Sequence, residues 1–157
     1  MTIRIYNFMV AIAFFMIVAL PAQSRDWGKV TVVGADQRYD FRVELAISME
    51  EQARGMMGRQ SLAPDNGMLF IYKTAEPRSF WMRNVPIALD IIYINEDATI
   101  GSIVAMAKPN DPTPLPSDYP AVAVLELAGG RVAELGIEIG DKVEHPAFKY
   151  IERSAPQ

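Results

Sequence analysis

The sequence predicts an α+β domain: a strand-rich, mostly antiparallel twisted sheet closing towards a small barrel, with two short helices. Three observations lead there. Apolar residues gather in many short runs, the first two of them alternating with period two. Turn residues separate those runs at close intervals. Only two stretches carry helix start and stop chemistry. Short, numerous strands with little helix are the pattern of a sheet that curls on itself, its ends plugged by the helices.

Composition narrows the chemistry. The 157 residues include 15 Lys+Arg, 19 Asp+Glu, one His and no Cys, and half belong to the hydrophobic set. A chain of this length can bury roughly two-thirds of its unfolded surface and needs no staples. The formal net charge of −4 argues against nucleic acid or anionic lipid as a generic partner. Without Cys there is no disulfide, thiolate nucleophile, zinc finger or iron–sulfur cluster.

Residues 1–24 read as an export signal. Arg4 is their only charge, Phe8 to Leu20 is an uninterrupted apolar run, and Ala22-Gln23-Ser24 is a small-x-small site ahead of Arg25-Asp26. A spanning helix needs about 20 apolar residues, so cleavage before Arg25 is expected, leaving residues 25–157 as a single domain. An uncleaved chain would meet the membrane only through this segment. No Cys follows the run, so no lipid is attached there. The expected location is the periplasm or the exterior, where ATP and nicotinamide cofactors are scarce. Neither G-x-G-x-x-G nor G-x-x-x-x-G-K-[ST] occurs, and no cofactor is expected.

Along the remaining chain, Lys29 to Val33 and Arg38 to Ile47 alternate with period two. The second run sets Tyr39, Phe41, Val43, Leu45 and Ile47 against Arg38, Asp40, Arg42 and Glu44, as in a half-buried strand. Ser48-Met-Glu-Glu51 is a capping box. Met49, Ala53, Met56 and Met57 then form an apolar stripe over about nine helical residues, with Gly58 as the stop. Pro64-Asp-Asn-Gly67 is turn chemistry, Gly tolerating positive φ, and leads into the strand Met68 to Tyr72. Further strands are expected over Ser79 to Arg83, Leu89 to Asn95, Thr99 to Met106 and Ala121 to Leu127, with Asn95-Glu-Asp97 as a hairpin turn. Pro109 to Pro120 holds five prolines and reads as a stiff exposed loop. Gly130 to Leu135 before Gly136 is the second helix, and strands at Lys142 to Glu144 and near Phe148 to Glu152 complete the chain.

Two acids interrupt apolar strands. Asp90 shares a face with Ile92 and Ile94, and Glu126 with Val122, Val124 and Ala128. A buried carboxylate needs a donor or a raised pKa. The candidate donors are Arg54 on the capped helix, Arg83, Asn84 or backbone amides. One reading makes the acids structural, as ion pairs or turn braces. The other makes them a general acid/base couple, as in glycoside cleavage.

Ser79-Phe-Trp-Met-Arg-Asn-Val-Pro86 concentrates the remaining chemistry. In a strand Trp81 and Arg83 would share a face, forming an amphipathic wall for a sugar, peptide or aromatic ring, or Trp81 would simply fill the core. Met56, Met57, Met68 and Met82 would suit a soft Cu(I) site. On apolar faces they read as core filler, and His145 has no His or Cys to join it, so no metal is expected. A single His also leaves no serine triad or His-rich metalloprotease.

The ordered motifs Arg54-Gly-Met-Met-Gly-Arg59, Gly67-Met-Leu-Phe70, Phe80-Trp-Met-Arg-Asn84, Pro86-Ile-Ala-Leu-Asp-Ile-Ile92 and Val124-Leu-Glu-Leu127 with Gly130 span Phe41 to about Ile151. In them the chain resembles the domain of unknown function 192 family, also called uncharacterised protein family 0127. The resemblance implies a small strand-rich α+β domain, commonly exported in bacteria, and carries no catalytic residue across. Arg54, Trp81, Asn84, Asp90 and Glu126 stand both in those motifs and in the pattern reading, and Arg83 lies between two of them.

Three classes of function follow. The first is a small-ligand-binding or accessory domain of the cell envelope, its cleft lined by Arg54, Trp81, Arg83, Asn84, Asp90 and Glu126 and edged by the proline-rich loop. The second is a hydrolase using Asp90 and Glu126. The third is a structural domain whose partner is an envelope protein. Lacking a nucleophile with a base, a metal set or a phosphate loop, the sequence favours the first and third, without catalysis.

Overall fold

The computed structural model describes residues 27–150. The expected signal segment, residues 1–24, lies outside the described residues. In chain order the elements are β1 (Trp27–Val33), β2 (Arg38–Ala46), α1 (Met49–Arg54), β3 (Asn66–Glu76), β4 (Ser79–Phe80), β5 (Leu89–Ile94), β6 (Ile100–Ala107), β7 (Leu115–Pro116), β8 (Ala121–Ala128), α2 (Arg131–Leu135) and β9 (Lys142–Glu144). A 3-10 turn follows over Pro146–Tyr150.

Seven strands form one sheet in the order β6-β5-β8-β3-β2-β1-β9, while β4 and β7 pair as a separate ribbon. Every neighbouring pair of the large sheet is antiparallel except β2 and β3. Those two run parallel because α1 and the loop after it carry the chain back from the end of β2 to the level of Arg42, midway along it. The sheet curls into a half-barrel whose edges meet at one end. There Thr99 bridges Lys142, the Val143 N–H donates to Ala98 O at 2.8 Å, and the Ile100 N–H donates to Asp141 O at 2.9 Å. Joining the edges removes part of the unpaired backbone that a seven-stranded sheet would otherwise expose.

Alternation along the strands gives two cores. One takes Val30, Val32, Phe41, Val43, Leu69, Ile92, Ile94, Ile100, Leu125, Leu127 and Val143, so every strand of the large sheet contributes, and Val132 of α2 closes it. The other, on the opposite face, holds Met56, Met68, Phe70, Met82, Val85, Leu89, Ile91, Tyr93 and Val124. Three of the four methionines considered for copper are thus buried packing, filling the irregular space under α1 and its loop.

Several expectations need correction. The capping box is present, with the Glu51 N–H donating to Ser48 Oγ at 3.2 Å and the Ser48 N–H to Glu51 Oε2 at 2.8 Å. The helix, however, has six residues and stops at Gly55, which takes φ 45°, rather than at Gly58. Met49 is therefore on no core-facing stripe and is 88% exposed, while Met56 reaches the core from the turn beyond the helix. Glu44, placed with the solvent-facing charges of β2, is buried. The loop returning from α1 covers its end of the strand and brings Arg59 over it. The expected strand over Ser79 to Arg83 ends at Phe80, because residues 81–84 turn away and Asn84 takes φ 59°. In place of a last strand near Phe148, Pro146 opens a 3-10 turn. The proline-rich loop is exposed over most of its length but tied down at Leu115-Pro116, paired with Phe80 and Ser79.

Gly67 lies inside β3, not in a turn. A Cβ there would sit 2.5 Å from the Glu126 carbonyl oxygen and 2.9 Å from Leu127 Cδ2. Close approach of β3 to β8, rather than positive φ, is what demands glycine here.

Candidate functional site

Strands β5 and β8 are antiparallel neighbours, with Asp90 opposite Leu127 and Ile91 opposite Glu126. Because side chains alternate, Asp90 and Glu126 leave the sheet on opposite faces. They cannot flank one substrate, and the acid/base couple for hydrolysis has no geometry to act in.

Asp90 is fully buried, and its donors are backbone amides rather than Arg54, Arg83 or Asn84. Met106 N–H and Gly130 N–H donate to Oδ1 at 2.8 and 3.0 Å, and Val132 N–H donates to Oδ2 at 2.8 Å. Two of these amides open α2, whose N-cap, Gly130, has no side chain to offer. Asp90 caps that helix from a neighbouring strand and satisfies orphan N–H groups that a glycine leaves free. The third amide is that of Met106, which takes φ 52° where the β5–β6 register shifts between Leu89 and Ile91. Asp90 is thus a structural brace.

Glu126 is different. It points to the second face, in line with Met68 of β3 and Glu44 of β2. Its residue is only 4% exposed, and its Oε2 is buried with no hydrogen-bond partner. Burial pushes the carboxyl up to about 8, opposed in part by Arg59. Arg59 is itself engaged by Glu44: Nη1 donates to Oε1 at 2.6 Å and Nη2 to Oε2. Near neutral pH Glu126 therefore carries a proton and offers an O–H donor.

Above Glu126 is a cavity of about 170 Å³. Its walls are Phe70 and Tyr72 from β3, Ser79 and Phe80 from β4, Trp81 and Val85 from the turn beyond, and Gln52 to Met57 from α1 and its exit. Phe70 and Phe80 pack edge to face at 4.9 Å, and Phe80 does the same with Tyr93 at 6.0 Å. Tyr93 in turn donates its hydroxyl to Leu115 O, so the proline-rich loop holds this wall from behind but does not line the cavity. Gln52 fixes α1 in place, its Nε2 donating to Ile71 O at 3.0 Å. Arg78 lies over the Tyr72 ring at 3.7 Å. The Tyr72 hydroxyl is pushed up to about 12 by burial, with Arg78 opposing and Glu126 adding to the shift.

Of the six residues singled out in the sequence, the cavity brings together Arg54, Trp81 and Glu126. Arg54 stands at the rim, bonded to Glu50 at 2.6 Å. Trp81 is not core filler: it is 47% exposed and forms part of the wall. Arg83 lies over its ring at 5.9 Å, outside the cavity lining. Asn84 contributes backbone, its carbonyl accepting from the Gly58 N–H at 2.8 Å and thereby locking the turn after α1 to the turn after β4. Asp90 is on the other face. The sequence reading missed Gln52, Tyr72 and the Glu44–Arg59 pair, and it used Phe70 and Phe80 only as motif positions. The parity of Phe70 and Glu126 in neighbouring strands is the signal that could have joined them.

Among described residues no group of three or more His, Cys, Asp or Glu is placed to hold a metal.

Comparison with known proteins agrees with this architecture. A protein of unknown function from Novosphingobium aromaticivorans DSM 12444 shares 44% identity, with 82% of this chain and 91% of that chain covered and a TM-score of 0.77. A candidate transcription regulator from Sinorhizobium meliloti 1021 shares 35% identity, over 78% of this chain and 96% of that one, with a TM-score of 0.76. No curated protein matches. The family model for DUF192, described as Uncharacterized ACR, matches residues 30–145. With the family model matched over residues 30–145 and a solved relative 44% identical over 82% of the chain, the chain belongs to the DUF192 family.

Proposed function

We propose that this protein is a small-ligand-binding domain of the cell envelope, acting by binding rather than by catalysis. One observation carries the reading: a buried Glu126 carboxyl with an unsatisfied oxygen forms the floor of an aromatic-walled cavity of about 170 Å³. An unmet polar group in the interior costs on the order of 1–3 kcal/mol, and a site that keeps one at the base of an apolar pocket is suited to a ligand that satisfies it. An apolar cavity of about 150 Å³ accepts a benzene ring, which sets the scale of the ligand. Arg4, the apolar run Phe8 to Leu20 and the site at Ala22-Gln23-Ser24 support export, with the mature chain starting near Arg25. The net charge of −4 gives no support to a nucleic-acid partner.

The test is a thermal-shift screen of ring-sized compounds against the wild type and Ser79→Trp, which fills the cavity mouth. A ligand at about ten times its Kd should stabilise the wild type by about 1.4 kcal/mol and leave Ser79→Trp unmoved. Equal shifts in both proteins would place binding elsewhere. Recovery of exported protein that still carries Phe8 to Leu20 would overturn the cleavage.

A further inference from the structure

We propose that the ligand of this cavity is a neutral molecule with a ring-sized apolar body and one hydrogen-bond-accepting oxygen, which Glu126 meets as an undissociated acid. This rests on the cavity being a ligand site and adds the chemical class.

The floor of the cavity sets the first requirement on a ligand. Among the described residues Glu126 Oε2 is buried without a partner, and the arginines around the cavity are engaged by other groups. Arg59 is held in a two-point pair by Glu44, Arg54 bonds Glu50 at 2.6 Å, and Arg78 is stacked on Tyr72 and lies 3.4 Å from Glu76. The other titratable neighbours, Tyr72 and Tyr93, are neutral phenols whose pKa values burial raises. A carboxyl among these groups keeps its proton, in agreement with a pKa raised to about 8, and a protonated acid is a donor that calls for an acceptor.

The walls and rim set the second. Phe70, Phe80 and Trp81 surround the space above the acid, and burying a full charge among them is costly. Aromatic faces do attract cations. Yet an ammonium would have to displace the Glu126 proton and pass Arg54 at the rim, with Arg83 already over the outer ring. A carboxylate would suit the rim but would bring its charge into the apolar interior. A ketone, ester, amide or ether oxygen satisfies Glu126 without either cost.

Three probes of one size separate these classes: cyclohexanone, cyclohexylamine and cyclohexanecarboxylate, titrated calorimetrically into the wild type, Glu126→Gln and Glu126→Leu. Cyclohexanone should bind the wild type best. Its affinity should fall about tenfold between pH 7 and pH 9, as a group titrating near 8 loses its proton. In Glu126→Gln, whose amide still donates, that pH dependence should vanish while binding persists. In Glu126→Leu the preference for cyclohexanone should be lost. Tighter binding of the amine or the carboxylate would overturn the class and leave the ligand site standing. Cyclohexanone binding that ignores pH in the wild type would overturn the role of the acid. Failure of all three probes would overturn the site itself, and this inference with it.

Discussion

Asp90 and Glu126 stand on adjacent strands, one opposite Leu127 and the other beside the partner Ile91, so their carboxyls leave the sheet on opposite faces. The sheet separates two acids that look alike in sequence into two tasks. Asp90 meets three amides and is satisfied. Glu126 has a buried oxygen with no hydrogen-bond partner among the described residues.

Asp90→Asn should destabilise the fold by roughly 1–3 kcal/mol. An amide keeps the shape but turns an N–H towards amides that need an acceptor. Urea unfolding measures it. A midpoint equal to the wild type would mean that the three amides find water instead.

Gly67→Ala should cost on the order of 1–3 kcal/mol through overpacking, since the new methyl would meet the Glu126 carbonyl at 2.5 Å and force β3 away from β8. Hydrogen exchange should show faster opening at β3 and β8 than at β1. A protein as stable as the wild type would show that the strands part freely.

Glu126 should make stability fall with rising pH. The folded chain holds the proton up to about 8, whereas an unburied glutamate releases it near 4.5. Between those values the folded state binds more protons than the unfolded state, so each unit of pH removes up to ~1.4 kcal/mol. Below and above that window the contribution is flat. Glu126→Gln should therefore gain on the wild type steadily from about pH 5 to about pH 8 in urea melts. A constant difference would mean that the carboxyl titrates normally.

Trp81→Ala should change stability by less than roughly 0.5 kcal/mol, as for other surface positions, yet weaken probe binding, because the ring is wall rather than core. With Trp27 replaced by Phe, Trp81 emission reports the cavity directly. A large loss of stability would return Trp81 to the core.

Part of this fold was legible because strand patterning is a local property: the strand around Phe41 alternates with period two, while those around Ile91 and Val124 stand out as short apolar runs, buried on both faces. The capping box at Ser48 and the αL glycine Gly136 were equally readable. What the sequence hid depends on partners distant along the chain. Glu44 reads as a surface charge until Arg59 is folded over it. Trp81 reads as core until the chain turns after Phe80, a turn made by hydrogen bonds to the loop around Asp111. Asp90 and Glu126 were both rightly read as buried. Their pairing register decides which face each occupies, and one residue of register reverses the answer.

The measurement that bears most directly on the account is an NMR titration with cyclohexanone of protein labelled at its methionine methyls and glutamate carboxyls. A ligand in the cavity should shift Met56, Met57 and Glu126, which line it, and leave Met106, which stands beside Asp90 on the other side, unmoved. Shifts at Met106 with Met56, Met57 and Glu126 unmoved, or no shift anywhere, would contradict it.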